Sequence, residues 1–161
     1  LKKLSRLIGK SLREKGLMLA LAESCTGGLI SSVITDAPGS SEYFLGSIIA
    51  YANSVKESSL GVKAGTLEKH GAVSKESARE MAQGVKKTLH AGISASITGI
   101  AGPGGATKRK PVGLVFIAVS NDGKTVVKKF LFKGGRKSIK MQSVEAALLM
   151  LAKALKLKLE R

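Results

Sequence analysis

The chain has 161 residues, with 27 Lys and Arg against 11 Asp and Glu, and a net charge of +16 when both His are neutral. That length suits one domain able to bury a full core without metal or disulfide staples. An apolar share of 43% with 24% charged residues excludes disorder, and Lys or Gly interrupts every apolar run short of the ~18 residues a membrane span needs.

In chain order, Leu4, Leu7, Ile8 and Leu12 recur at helical spacing over residues 2–15, which predicts an amphipathic helix with those four side chains inward, ended by Gly16. The short apolar run Leu17 to Ala22 predicts a buried strand. It hands over through Glu23-Ser24-Cys25-Thr26-Gly27-Gly28 to a helix-compatible stretch, Leu29 to Thr35. After the Pro38-Gly39 break, Phe44 to Tyr51 predicts a second strand. Asn53 to Leu60 follows as a short helix stopped by Gly61, and Thr66 to His70 as a further helical turn stopped by Gly71. Ser74 is placed to N-cap a helix through Leu89, with Ala78, Met81, Ala82, Val85 and Leu89 inward. Ile93 to Ile100 reads as a third strand, and a Gly/Pro-rich loop runs from Ala101 to Pro111. Val112 to Ser120 and Thr125 to Phe132 pair as strands about the turn Asn121-Asp122-Gly123. A last helix is predicted from about Arg136 to Lys158, burying Val144, Ala147, Leu148, Leu151 and Leu155. Strands alternating with helices, plus one hairpin, give a single α/β layered domain over residues 1–161, with a mixed, mostly parallel sheet flanked by helices.

The opening segment, LKKLSRLIGKSLREKG, has neither the long apolar stretch nor the small-residue cleavage site of a secretory signal. The chain does not open on Met, which leaves room for residues removed upstream. A single cysteine, Cys25, can form no internal disulfide and no multi-Cys zinc site, and a cytoplasmic location without membrane contact is expected. Residues 1–100 carry 13 basic and 8 acidic side chains, and residues 101–161 carry 14 and 3. Such a surface favours phosphorylated small molecules or polyanions. With no Trp, two Tyr and four Phe, a stacking platform for single strands is poorly supplied. No zinc-finger spacing or RNA-binding consensus occurs, so nucleic acid is not the expected partner. A polyanion-binding protein stands as a rival reading, with a solubility surface as the simpler account of the charge.

Three segments carry candidate chemistry. Glu23 to Gly28 places a hydroxyl and a thiol where a strand meets a helix, and free backbone N–H groups there favour an anion or a developing oxyanion. The segment is neither a P-loop nor G-x-S-x-G. Ser24 or Thr26 could equally serve only as a helix cap, and Cys25 is either a thiolate activated by the helix terminus or a small apolar side chain. A hydroxyl nucleophile needs a base. His70 sits at a helix end beside Gly71, His90 follows a helix at the surface, and no paired-His spacing for a metal exists. The base that remains is a lysine held neutral by burial or by neighbouring cations. In Tyr51-Ala52-Asn53-Ser54-Val55-Lys56, a tyrosine hydroxyl and a lysine amine can reach one pocket, unless Lys56 is simply solvated on its short helix. Thr98-Gly99-Ile100-Ala101-Gly102-Pro103-Gly104-Gly105 leaves a buried strand at the end where ligands of open α/β sheets sit, though it could be a plain connector. Arg136, after Gly134-Gly135 at the head of the last helix, can clamp a phosphate or lie exposed.

Taken in order, Ala22 to Gly28, Pro38-Gly39-Ser40-Ser41, Tyr51 to Lys56, Leu60-Gly61-Val62, His70-Gly71-Ala72-Val73-Ser74, Thr98 to Pro103 and Lys110-Pro111-Val112-Gly113 resemble the CinA C-terminal domain family. These are the nicotinamide-mononucleotide deamidases, and the similarity covers about residues 5–155. The resemblance implies an α/β domain, homo-oligomeric and without metal or other cofactor. Its reaction would convert nicotinamide mononucleotide to nicotinate mononucleotide and ammonia. It implies Ser24 as nucleophile, Lys56 as general base and Tyr51 as a polar neighbour. Thr98, Gly99 and Gly102 would line the substrate pocket, and Arg136 would suit the substrate's phosphate. Backbone N–H groups near Thr26, Gly27 and Gly28 would hold the oxyanion. Two positions depart from the family pattern. Gly104 stands where the loop usually carries Asp, and Gly135 stands where the arginine segment carries an acid. These departures motivate a second rival reading, a catalytically silent nucleotide-binding module.

Overall fold

Alternation along the first strand sorts the core into two layers. In the computed structural model, which describes residues 1–158, β1 (Leu19–Glu23) is buried along its whole length. Leu19 and Leu21 join Ile8, Leu12, Ile30 and Leu151 in one cluster, whereas Ala20 and Ala22 join Leu60, Met81 and Val85 in another. The first cluster lies under α1 (Lys2–Glu14), α2 (Leu29–Thr35) and α6 (Arg136–Ala154). The second lies under α3 (Asn53–Leu60), α4 (Ala64–His70) and α5 (Lys75–Thr88). Each fully buried Leu or Ile in these layers contributes roughly 1.5–3 kcal/mol.

The remaining strands are β2 (Phe44–Ile49), β3 (Ile93–Gly99), β4 (Leu114–Asn121) and β5 (Lys124–Leu131), in the order β2-β1-β3-β4-β5. β1 runs parallel to β2 and β3, and β4 runs antiparallel to β3 and β5. Four strands therefore point one way and β4 the other, the mixed, mostly parallel sheet expected. Because β1 is followed by β2 on one side and flanked by β3 on the other, the crevice at its carboxyl end is where an α/β sheet places a ligand. Among the described residues, no helix is long and apolar enough to cross a membrane.

Small residues bring the second layer close. On β3, Ile93, Ala95 and Ile97 enter the first cluster. The alternate Ser94 and Ser96 donate to the α5 carbonyls of Ala82 and Ala78, at 2.7 and 2.6 Å. In turn Gly84 of α5 receives α3, since a Cβ there would fall 1.8 Å from the Leu60 carbonyl oxygen. A rigid backbone atom cannot yield as a side chain would. Gly84→Ala is expected to destabilise the protein by about 3 kcal/mol or more, read by denaturant unfolding. A change within 0.5 kcal/mol (about the scatter of surface substitutions) would contradict the close approach.

The structure corrects several sequence expectations. Leu7 is not inward but 37% exposed, and Ser5 and Ser11 take buried positions on α1. A serine is tolerated there because Ser5 Oγ donates to the Val33 carbonyl of α2. The second strand ends at Ile49, so Tyr51 lies beyond it, and the last helix ends at Ala154 rather than Lys158. Leu89 is only half-buried, just past the end of α5.

Candidate active site

The alternation of β1 carries on past its end. Glu23 falls on the α2 side of the sheet, where it bonds Ser31, and Ser24 falls on the α3 side. Ser24 N donates to the Ile97 carbonyl at 3.0 Å, which extends the β1–β3 ladder by one residue and holds the serine backbone. From α3, Lys56 reaches back over the end of β2. It is 1% exposed, and its Nζ lies 3.3 Å from Ser24 Oγ, 2.8 Å from the Ala50 carbonyl and 3.0 Å from the Tyr51 carbonyl. No carboxylate lies within ion-pair distance of this amine among the described residues. Burial therefore holds its pKa below the ordinary lysine value, against a smaller opposing effect of Cys25.

The chemistry follows from counting donors. A neutral amine has two N–H groups and one lone pair. When Lys56 is neutral, the two carbonyls take its N–H groups and the lone pair is left for the Ser24 hydroxyl; when it is charged, its third N–H faces Ser24 Oγ. The neutral arrangement is the one a lysine general base requires.

Ser24 and Lys56 line a cleft of about 240 Å³ together with Cys25, Tyr51, Thr98, Gly99, Gly102 and Arg136. Thr98 is buried in its wall, with its hydroxyl donating to the Ala72 carbonyl at 2.8 Å. Gly99 has to be glycine, because a Cβ would meet the Leu114 carbonyl oxygen at 2.8 Å. Arg136 crosses the mouth, donating to the Gly102 carbonyl at 2.7 Å and to the Tyr51 hydroxyl at 3.1 Å. Tyr51 thus meets Lys56 through its carbonyl and not through its hydroxyl, and the residue is 61% exposed. Gly104 and Gly105 complete the loop.

Three expected residues stand elsewhere. Thr26, Gly27 and Gly28 do not line the cleft. Thr26 Oγ1 and Gly28 N both donate to Glu23, and Gly27 N donates to the Ser24 carbonyl. The turn folds its own donors inward, so Gly27 and Gly28 have no N–H to offer an oxyanion. In this turn the N–H groups of Cys25 and Thr26 make no backbone hydrogen bond, and of the two residues Cys25 lines the cleft whereas Thr26 is fully buried. Neither histidine lines the cleft: His70 Nδ1 lies 3.9 Å from Glu76, and His90 is exposed. Sequence reasoning missed Glu23, although counting alternate residues from Leu19 places it opposite Ser24. A larger cleft of about 520 Å³ between β5 and the end of α6 is lined by lysines, Asn121, Asp122 and apolar side chains, with no hydroxyl or thiol in its lining. Among the described residues, no three His, Cys, Asp or Glu side chains gather into a set that could hold a metal ion.

The sequence pattern of the CinA C-terminal domain matches residues 1–155. The chain belongs to this family. A CinA-like protein of Syntrophomonas wolfei is 50% identical over 150 residues, 93% of this chain and 36% of that protein. A CinA-like protein of Desulfotalea psychrophila is 48% identical over 145 residues, 90% of this chain and 35% of that one. The chain spans about a third of the length of these curated relatives. Among solved structures, the competence/damage inducible protein CihA of Agrobacterium tumefaciens superposes with a TM-score of 0.93 at 39% identity, covering 96% of this chain and 94% of that one.

Two further features of this CinA domain bear on its chemistry. A side chain at Gly104 or Gly135 would meet nothing within 4 Å, so no packing demand accounts for the glycines there. Gly135 is also the N-cap of α6, which leaves that helix start without a side-chain cap and without an acidic residue in its first turn. Burial pushes the Cys25 thiol up to about 11, which outweighs the lowering by its own amide, Lys140 and Arg136. The apolar reading of Cys25 therefore prevails over the thiolate one. At neutral pH the native protein is expected to resist iodoacetamide, with one alkylation, on Cys25, only after unfolding; mass spectrometry reads the result, and rapid native labelling would contradict it.

Proposed function

We propose that this CinA domain is a Ser–Lys amidohydrolase that converts nicotinamide mononucleotide to nicotinate mononucleotide and ammonia. The observation that carries this reading is the buried Lys56 amine, with its N–H groups on the Ala50 and Tyr51 carbonyls and Ser24 Oγ at 3.3 Å. Neutral Lys56 takes the Ser24 hydroxyl proton as Oγ attacks the carboxamide carbon. The N–H group of Cys25, which lines the cleft beside Ser24, receives the oxyanion. Lys56 then gives its proton to the leaving nitrogen, and ammonia departs from an acyl-serine. Water attacks this ester, Lys56 accepts a water proton and returns it to Ser24 Oγ, and the nicotinate product leaves. The glycine-rich wall leaves space for the ring and ribose. The phosphate suits Arg136 and the uncapped start of α6.

The test is ammonia release from nicotinamide mononucleotide by the wild-type chain, followed with a coupled assay. Turnover supports the reading. Thermal stabilisation by the nucleotide without any ammonia would instead favour the silent binding module, to which Gly104 and Gly135 point.

A further inference from the structure

Glu23 is fully buried, has no basic partner within ion-pair distance among the described residues, and takes no part in the steps above. Five donors converge on it. Oε2 accepts from Thr26 Oγ1 and Gly28 N, each at 2.8 Å. Oε1 accepts from Ser31 N at 3.2 Å, from Ser31 Oγ, and from Ser47 Oγ at 3.4 Å. One side chain thus ties together the end of β1, the turn after Ser24, the first turn of α2 and the edge strand β2. This is the pattern of an acceptor-only carboxylate.

We propose that Glu23 is a positioning residue for the nucleophile. By holding the Thr26–Gly28 turn against the sheet, it keeps Ser24 Oγ within reach of Lys56 and keeps the amide of Cys25, which lines the cleft, free of a backbone partner. The role rests on the Ser24–Lys56 reading. It is specific to a carboxylate, because each oxygen receives a backbone N–H that cannot reverse. A glutamine amide would aim its NH2 at Gly28 N in one orientation and at Ser31 N in the other. The near-isosteric change Glu23→Gln therefore loosens the turn without altering the Thr98, Gly99 and Arg136 walls, which do not touch Glu23.

The test is the rate at which a fluorophosphonate probe labels Ser24, with the site confirmed by peptide mass spectrometry. Labelling forms an Oγ–P bond, expels fluoride and passes the hydroxyl proton to Lys56, so it needs an aligned serine and lysine but no pyridine nucleotide. Glu23→Gln is expected to slow labelling by about tenfold or more and to lower kcat for ammonia release similarly, with KM within about twofold. Ser31→Ala, which removes one hydroxyl donor and leaves both backbone bonds, is expected to fall between. A purely structural Glu23 would lower the melting temperature but leave labelling and kcat of the folded variant at wild-type values, and that result overturns the proposal. If Glu23→Gln fails to fold by circular dichroism, a folded Ser31→Ala, Ser47→Ala double variant that labels at the wild-type rate overturns it as well. A wild-type Ser24 that takes no label overturns the Ser–Lys reading and this role together. Labelling without ammonia release would indict only the assigned substrate.

Discussion

Lys56→Met should lower kcat for ammonia release from nicotinamide mononucleotide by roughly 10³-fold, within the range of general acid–base catalysis, with KM changed only a few-fold. Met fills a similar volume, yet it removes the amine nitrogen that faces Ser24 Oγ and the donors to the Ala50 and Tyr51 carbonyls. Lys56→Arg should be no better, because a guanidinium stays protonated and has no lone pair to accept the serine proton. Steady-state kinetics decide the matter, and an arginine variant keeping a tenth of wild-type activity would refute the base assignment. The pH profile is a second check. Wild-type kcat/KM should rise with pH through a pKa below 10.5, since burial favours the neutral amine. The same shift has a stability consequence of definite sign. Between the folded pKa and 10.5 the unfolded chain binds more protons at this site, so wild-type stability rises with pH in that window. Below the window the full cost of a buried charge applies. The Lys56→Met variant lacks that cost, so its melting temperature relative to wild type should be most favourable at low pH and decline as pH approaches 10.5.

Ser24→Ala should abolish catalysed hydrolysis, a loss of roughly 10⁴-fold or more, because no acyl-serine can form. The fold should tolerate the change. The hydroxyl of Ser24 contacts Lys56 alone, and its backbone bond to Ile97 is unaffected, so stability should move by about 1 kcal/mol. Nicotinamide mononucleotide should still raise the melting temperature of this variant, since the pocket walls remain. A Ser24→Ala protein that released ammonia at a tenth of the wild-type rate would replace the serine with water as the attacking group. Lys56 would then be the base for that water.

The strands were legible where alternation was strict. Leu19 to Ala22 alternates two large with two small apolar residues, and those sizes foretell a thick layer on one face and a close-packed α5 on the other. The helix α1 was less legible, because periodicity counts apolar residues without knowing which neighbour covers them. Leu7 follows the helical spacing yet faces outward, while Ser5 is buried because α2 happens to offer the Val33 carbonyl. At the site, the residue types alone left Ser24 as a possible helix cap, Lys56 as a solvated side chain and Arg136 as exposed, and the resemblance to the CinA C-terminal domain is what singled them out. The turn amides were misassigned because Gly27 and Gly28 look free in a list of glycines but are bonded in the folded turn.

By itself the sequence determined the succession of elements and the shortage of imidazole that turned attention to lysine. Only the tertiary structure decided that Lys56 is buried, that two main-chain carbonyls accept from its amine, and that Ser24 Oγ stands 3.3 Å from its Nζ. Periodicity assigns a side chain to a face of its own element. The neighbour it meets across 32 residues of chain is set by strand order and by how closely Gly84 lets α3 approach.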